Sequence, residues 1–283
     1  MGAYRLMGVL NVTPDSFSDG GLFLDASSAI AHGVDLAEQG AHILDIGGES
    51  TRPGANPVDE REELHRVVPV IAGLSEVLSS KPFAMQISID TSKIPVAAEA
   101  LSAGATLVND VTALRLDPSM AGLIAATGAD CCLMHMQGTP RTMQQSPTYS
   151  DVVSEVKAFL EERLSFAVSE GIAEERILLD PGIGFGKTTT HNLTLLRRLD
   201  ELVTLGRPVV IGTSRKSFLG KIAQTVGAGD GDNRLPGTIA TNVLALERGA
   251  TVFRVHDVAP VAAALEVAAA TLSTTCPPTG MTS

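Results

Sequence analysis

MQISIDTSKIPVAAEALSAGATLVNDV, residues 85–111, contains a strand, a helix and a second strand in succession. The first apolar run stops at Asp90, the helical pattern ends at Gly104, and the second apolar run carries Asn109 and Asp110. Short, uninterrupted apolar strands that alternate with helices are typical of a parallel sheet covered on both faces. The stretch therefore predicts one βαβ unit.

The same succession of a strand and a helix occurs eight times along the 283 residues. We predict strands at 7–12, 42–47, 85–90, 107–111, 130–135, 177–182, 209–214 and 252–257. We predict helices at 25–39, 60–79, 93–103, 117–127, 150–170, 190–205, 237–248 and 258–272. Eight such units predict an α/β fold, a TIM (β/α)8 barrel in a single domain over residues 1–272, with a flexible C-terminal tail at 273–283. An open doubly wound sheet is the alternative, but no GxGxxG motif opens the first helix.

The composition excludes several classes of partner. A formal charge of -11 argues against nucleic-acid binding, because phosphate backbones are held by surplus Lys and Arg. We find no apolar stretch long enough to span a membrane, and a first strand at Met7 leaves no room for a signal peptide, so we expect a cytoplasmic protein. Cys131 and Cys132 are adjacent and form no disulfide framework with Cys276, which favours a packing role.

The connections that follow the strands are longer than those that follow the helices, and long loops on one barrel face carry function. The loop at 13–24 is a dense set of small polar groups around Phe17, and we interpret it as a mobile lid that leads into a helix capped by Asp25. A simple capped turn is the alternative for its Asp and Ser residues. The loop at 47–54 places Arg52 among glycines and hydroxyls, a composition suited to an anion.

Polar groups at the central strand ends suit a flat heterocyclic ligand. Asp90 and Asn109 can bind the donor and acceptor edge of such a ring, although an N-cap role is the alternative for Asp90 and for Asp110. DPGIGFGK, residues 180–187, combines Asp180 with three alternating glycines that allow close approach to the backbone and with Phe185 as a flat apolar wall. Its spacing does not match a phosphate-binding P-loop.

Two further strand ends suit anions. Lys216 supplies a cation, and Ser217 is well placed to begin a helix whose free N–H groups can hold a carboxylate or phosphate. Arg254 and His256 alternate on the last strand and therefore point to the same side. Two cations beside the amide of Asn11 would form a site for a diphosphate and for Mg²⁺, which takes few protein ligands in addition to phosphate oxygens.

The histidines outside this site give weaker signals. We expect surface or packing roles for His32, His42, His65 and His191, and the role of His135 at a strand end stays undecided. Nothing in the sequence has Zn²⁺ ligand spacing.

The chain resembles the dihydropteroate synthase family of the folate pathway over residues 5–272. The matching motifs occur in the family's order: NVTPDSFSDGG, GGESTRPGA, ISIDTSK, NDV, LMHMQGTP, DPGIGFGKT, GTSRKSFLG and RVHDV. The resemblance implies a TIM barrel, a homodimer, and condensation of (7,8-dihydropterin-6-yl)methyl diphosphate with 4-aminobenzoate, with release of diphosphate.

The resemblance also assigns roles to individual residues. The pterin pocket would contain Asp90, Asn109, Asp180 and Lys216. The diphosphate would meet Asn11, Thr51, Arg254 and His256, with Asn11 also at the Mg²⁺ position. The aminobenzoate region, where sulfonamides compete, would contain Thr51, Arg52, Pro53, Phe185, Lys216 and Ser217. The catalytic set would be Phe17 and Asp19 of the lid together with Lys216, Arg254 and His256.

Two other functions stay open at this level. A pterin-binding methyltransferase acting on methyltetrahydrofolate would share the barrel and the pterin pocket, but it would not need the pair Arg254 and His256. A non-catalytic paralogue would bind pterin without turning it over, and it would be expected to lack loop or diphosphate residues. None of the residues we can match to the family is missing.

Overall fold

The computed structural model describes residues 4–13, 21–50, 57–82, 84–139, 141–225 and 234–273. The strands are β1 (Arg5–Asn11), β2 (Ile43–Gly47), β3 (Gln86–Asp90), β4 (Leu107–Asp110), β5 (Asp130–Met134), β6 (Ile177–Asp180), β7 (Val210–Ile211) and β8 (Val252–Val255). The helices are α1 (Gly21–Glu38), α2 (Glu60–Ser79), α3 (Ile94–Ser102), α4 (Ser119–Thr127), α5 (Val152–Ser169), α6 (Thr189–Arg197), α7 (Asp200–Val203), α8 (Ser217–Gln224), α9 (Leu235–Glu247) and α10 (Val258–Leu272).

The eight strands form one parallel sheet in the order β6-β5-β4-β3-β2-β1-β8-β7. The two ends of this sheet meet, because Leu179 of β6 forms a parallel bridge with Val209, which directly precedes β7. The Leu179 N–H also donates to the Pro208 carbonyl across 3.0 Å. The sheet therefore closes into a nearly complete barrel, which confirms the predicted TIM (β/α)8 fold.

The strand register fills the lower part of the barrel interior with apolar side chains. Seven strands each contribute one buried residue to an interior cluster, which consists of Met7, Ile43, Leu107, Cys132, Leu178, Val210 and Val252. The neighbouring Cys131 lies instead in the larger cluster between sheet and helices, because adjacent strand residues face opposite sides. The packing role predicted for both cysteines is confirmed. This apolar cluster closes the lower part of the barrel, so a ligand can enter at the carboxyl ends of the strands.

Some predicted boundaries were wrong. Helix α1 begins at Gly21, so Asp25 lies inside it and is not its N-cap. The helix predicted at 190–205 is two helices, α6 and α7, because Arg198 leaves the helical conformation and donates to Asp151 across 2.7 Å. Within the part of the chain that the structure describes, no helix has the length and apolar character needed to cross a membrane. The predicted tail lies outside the described residues from position 274 onward.

Candidate active site

A pocket opens at the carboxyl ends of the strands, above the apolar cluster. Its lining consists of Asp90, Asn109, Val111, Met134, Asp180, Gly182, Ile183, Phe185, Gly212, Lys216 and Arg254. Small-molecule sites typically combine apolar walls with a few convergent polar groups. Six residues that the sequence predicted for the site therefore come together here: Asp90, Asn109, Asp180, Phe185, Lys216 and Arg254.

A network centred on Arg254 forms one wall of the pocket. Its Nε donates to Asp45 Oδ2 across 2.6 Å, and its Nη2 donates to Asp90 Oδ2 across 2.8 Å. Asp45 also accepts from the Ser88 hydroxyl at 2.6 Å and from the Asn109 amide at 3.1 Å. The buried carboxylate of Asp45 thus connects three strands that carry pocket residues and fixes the direction of the guanidinium.

Burial and ion pairing oppose each other in this network. Burial raises the pKa of Asp90 to about 7, while the charge of Arg254 acts in the opposite direction. For Arg254, burial acts to lower the pKa, but Asp45 and Asp90 outweigh burial and raise it. The guanidinium therefore keeps its charge in the pocket, where low exposure to water strengthens its interactions with an anion.

Asp180 ends β6 on the opposite wall. Its Oδ1 accepts from the Gly182 N–H across 2.6 Å, which fixes the carboxylate at the pocket surface. Burial raises the pKa of Asp180, and the Gly182 N–H, Lys216 and Arg254 oppose this rise. Gly182 has φ +66° and lies against the backbone of His135, whose carbonyl oxygen would stand 1.9 Å from an added Cβ. Only glycine fits at this position.

Phe185 and Lys216 form the third side of the pocket. The Lys216 Nζ lies 4.1 Å from the centre of the Phe185 ring, a cation–π contact that holds the ammonium beside a flat apolar surface. Helix α8 begins at Ser217, as predicted, so the first turn of a helix starts directly after the pocket lysine. Ser217 itself is exposed and lies beside the pocket rather than in its lining.

Asn11 ends β1 and His256 directly follows the adjacent strand β8, so both stand at the same rim, but outside the set of described residues that line the pocket. Burial, followed by the charge of Arg254, lowers the pKa of His256 to about 3. His256 is therefore neutral near pH 7, and the prediction of two cations beside Asn11 was wrong: Arg254 supplies the only charge of that pair. The Ser214 hydroxyl accepts from the His256 backbone N–H at 3.1 Å and lies 3.0 Å from its Nδ1.

The sequence and the fold of this chain match known proteins over almost their whole length. Residues 7–256 match the family described as "Pterin binding enzyme". The dihydropteroate synthase of Escherichia coli (strain K12) is 45% identical over 269 residues, which cover 95% of this chain and 92% of that protein. The chain belongs to the dihydropteroate synthase family.

Solved structures of the dihydropteroate synthase family share the barrel. The Xanthomonas albilineans enzyme with 4-aminobenzoic acid has a TM-score of 0.86 and 46% identity, covering 96% of this chain and 94% of that chain. The same enzyme in complex with 7,8-dihydropteroate has a TM-score of 0.83 and 43% identity, covering 96% of this chain and 95% of that chain. These relatives support the synthase and neither the methyltransferase nor the non-catalytic alternative.

Five residues that the resemblance to dihydropteroate synthases assigned to the site lie outside the described residues. They are Phe17 and Asp19 of the first loop and Thr51, Arg52 and Pro53 of the second loop. Their roles stay predictions.

Asp45 is the site residue whose role the sequence did not reveal. It lies two positions from Ile43 and two from Gly47, so the alternation of β2 places all three on the inner face of the barrel. A carboxylate on an inner face requires a partner, because an unpaired buried charge is costly. Two strands away, beyond β1, strand β8 carries Arg254, which forms an ion pair with Asp45, and this combination of charges was the available signal. Through this pair and the bond from Asn109, Asp45 connects residues predicted for the pterin with Arg254, which was predicted for the diphosphate.

Proposed function

We propose that this chain is a dihydropteroate synthase, which joins (7,8-dihydropterin-6-yl)methyl diphosphate to 4-aminobenzoate and releases diphosphate. The observation that carries the proposal is the convergence of Asp90, Asn109, Asp180, Lys216 and Arg254 on one pocket beside Phe185. Carboxylates and an amide can form hydrogen bonds with the edge of a pterin. Lys216 can donate to its polar ring atoms, and Arg254 can pair with the anionic leaving group. The names of the relatives support the same reaction.

The pterin ring is recognised by its hydrogen-bonding edge. Its amino-pyrimidine side offers paired N–H donors, and a carboxylate such as Asp180 can accept two parallel bonds from them. Asn109 presents an amide to the ring, and its direction is set by the bond to Asp45. Lys216 donates to a ring nitrogen or carbonyl oxygen. These contacts place the reactive methylene toward Arg254.

Departure of diphosphate is the step that the anion-handling residues assist. The bond between the methylene carbon and the diphosphate oxygen breaks, the electron pair leaves with diphosphate, and positive charge spreads into the pterin. Arg254 stabilises the departing anion with its charge. His256 contributes as a neutral donor: a hydrogen bond from the Ser214 hydroxyl to Nδ1 leaves the ring proton on Nε2.

We infer that Mg²⁺ binds together with the diphosphate, with Asn11 as a protein ligand. Within the described ranges, no group of three or more His, Cys, Asp or Glu side chains is placed to hold a metal ion. A single amide oxygen from Asn11 suits an ion that takes most of its ligands from diphosphate oxygens and water, as Mg²⁺ does in phosphate sites. When bound, the ion would neutralise charge on the leaving group.

The arylamine attacks the methylene carbon, forms the new C–N bond and releases a proton. Phe185 offers the aromatic ring of aminobenzoate an apolar surface, and its carboxylate can rest at the start of α8 near Ser217 and Lys216. A covalent enzyme nucleophile is not needed. Cys131 and Cys132 are buried, and burial raises the pKa of both thiols, so neither supplies a thiolate.

The deciding experiment measures diphosphate release by the purified chain with pterin diphosphate and Mg²⁺, before and after addition of 4-aminobenzoate. We expect release that depends on aminobenzoate. Binding of the pterin substrate without such release would overturn the synthase and favour a binding paralogue. Omission of Mg²⁺ in a parallel series tests the metal separately. The homodimer, the cytoplasmic location and the lack of a nucleic-acid partner stay predictions.

A further inference from the structure

Lys187 is a buried lysine that the proposed reaction does not use. Only 3% of its surface is exposed, and it directly follows the turn formed by residues 182–186. Its Nζ lies 2.8 Å from His135 Nδ1, 3.0 Å from the Phe185 carbonyl oxygen and 3.5 Å from the His135 carbonyl oxygen. A lysine removed from water to this extent needs partners, and it finds them on two segments that border the pocket.

The number of N–H donors on the charged form of Lys187 equals the number of acceptor atoms around it. An ammonium group has three N–H donors, and the three neighbouring atoms of Lys187 are all able to accept. Burial, followed by the charge of Lys187, lowers the pKa of His135 to about 2, so the ring is neutral. Its Nδ1 can then accept from the ammonium while Nε2 carries the ring proton.

The two segments joined by Lys187 leave no spare room between them. Gly182 lies against the His135 carbonyl oxygen, and an added Cβ at Gly186 would stand 2.6 Å from the Gln137 carbonyl oxygen. Lys187 therefore holds the turn at 182–186 against the chain that follows β5. Phe185, in the middle of this turn, forms a wall of the pocket and contacts Lys216.

The turn is also held from its outer side. The Gln144 side chain donates to the Gly184 carbonyl at 2.6 Å, and the Tyr149 hydroxyl donates to the Gly186 carbonyl at 2.8 Å. Lys187 holds the turn from the buried side through its contacts with His135 and with the Phe185 carbonyl oxygen. Burial lowers the pKa of Lys187 to about 7, and the charge of Asp180 opposes this effect. The same attraction favours the ionised form of Asp180.

We propose that Lys187, paired with His135, is a positioning residue that sets the turn carrying Phe185, and thereby controls pterin and aminobenzoate affinity. The proposal rests on the proposed function, because it names the support of that same pocket. It assigns Lys187 no contact with substrate. Its removal should therefore change binding more than the chemical step.

The test replaces Lys187 with Met, which keeps the length of the side chain and removes its donors. We expect the affinity for 6-hydroxymethylpterin in calorimetry to fall about tenfold, because an unfixed turn weakens the contacts of the ring with the pocket wall. The KM values for both substrates should rise by a similar factor, while kcat stays within about threefold. Lys157→Met is the matched control, since Lys157 donates to Thr204 on an outer helix.

A double-mutant cycle tests the partnership with His135. If Lys187 acts through His135, then His135→Leu should weaken pterin binding, and the double variant should bind no worse than Lys187→Met alone. Additive losses in the cycle would contradict the pairing. Folded Lys187→Met that keeps the wild-type affinity and KM values would overturn the proposal, even if its melting temperature falls.

Two further results remain to be interpreted: a Lys187→Met variant that does not fold, and a wild-type protein without binding or activity. If Lys187→Met does not fold, Lys187→Gln takes its place, because the Gln amide can still donate to the Phe185 carbonyl. The KM of Lys187→Gln should then rise by less than the factor of about ten expected for Lys187→Met. An unchanged KM would overturn the proposal. Wild-type protein that fails to bind pterin or to release diphosphate contradicts the proposed function itself. That failure is seen before any variant is measured, so the two failures are distinguishable.

Discussion

Arg254 donates to Asp45 across 2.6 Å inside the barrel, although 209 positions separate the two residues in the chain. Asp45 is fully buried and also accepts from Ser88 and Asn109, so its carboxylate is surrounded by donors. The pair sets the direction of a guanidinium that lines the pocket and that we propose to stabilise the leaving group. We therefore expect Asp45 to act on the reaction through Arg254, without contact with the substrate.

Asp45→Asn should lower kcat/KM about thirtyfold, or about 2 kcal/mol, because a charge-assisted bond to Arg254 becomes a neutral one and the guanidinium loses its fixed direction. Steady-state rates of diphosphate release measure the effect. Asp130→Asn is the matched control at the other end of the barrel, where Asp130 accepts from Gln86 at 2.7 Å. Equal losses in both variants would indicate a general loss of stability instead.

Asp180→Ala should abolish pterin binding, since the N–H donors of the ring would be left unpaired in a pocket with little water. The cost should be about 3 kcal/mol or more, at least a hundredfold in affinity. Calorimetry with a pterin ligand measures it. The exposed Asp35→Ala serves as the control. Unchanged affinity in Asp180→Ala would remove Asp180 from the pterin site.

Arg254→Ala should slow the chemical step more than it weakens binding of a pterin that lacks the diphosphate. It should also reduce the free energy of unfolding by about 3 kcal/mol, because the buried Asp45 and Asp90 lose their cation. Single-turnover rates, pterin titration and urea unfolding separate the effects. Arg254→Lys keeps the charge but not the two directed bonds, so its rate and its stability should lie between those of the wild type and of Arg254→Ala. Equal losses of rate and pterin affinity would count against a role at the diphosphate.

His135 should make the protein less stable in acid. Burial and Lys187 lower its pKa in the folded state to about 2, whereas the unfolded state takes up a proton near the usual value of about 6.5. Stability from this group is therefore present above pH 6.5 and is lost as the pH falls, by about 2 kcal/mol between pH 7 and pH 5.

Urea unfolding of the wild type and of His135→Gln at pH 7 and pH 5 measures the contribution of His135. Burial raises the pKa of Asp90 to about 7, so Asp90 acts with the opposite sign and takes up a proton in the folded state over the same range. The prediction therefore concerns the difference between the variant and the wild type. The variant should show the smaller loss in acid, and the exposed His32→Gln should follow the wild type.

Sulfonamides should compete with 4-aminobenzoate. Phe185 and Lys216 form a flat wall with a cation beside it, which suits either molecule. Inhibition should raise the apparent KM for aminobenzoate without changing the maximal rate. Phe185→Leu should raise this KM and the inhibition constant in parallel, because both ligands lose the same aromatic surface. Growth complementation with and without sulfonamide tests the effect in cells, and sulfonamide-independent growth would contradict it.

The repeated succession of strand and helix was sufficient to predict the barrel, since eight units with polar strand ends allow few other closed arrangements. The polar strand ends predicted that Asp90, Asn109 and Asp180 bind a flat ligand, and the three line one pocket. Helix boundaries were less accurate. Asp25 resembled an N-cap locally, yet the helix starts at Gly21, and Arg198 interrupts a continuous helical pattern because it pairs with Asp151.

The sequence by itself determined the fold, the rim that carries the chemistry and the family, because strand period, turn residues and motif order are local properties of the chain. The tertiary structure decided which of these groups are charged and which touch. It paired Arg254 with Asp45 and Asp90, left His256 neutral and placed Lys187 behind the pocket wall. These properties depend on burial and on distances between residues far apart in the chain, and both come into existence only when the barrel closes.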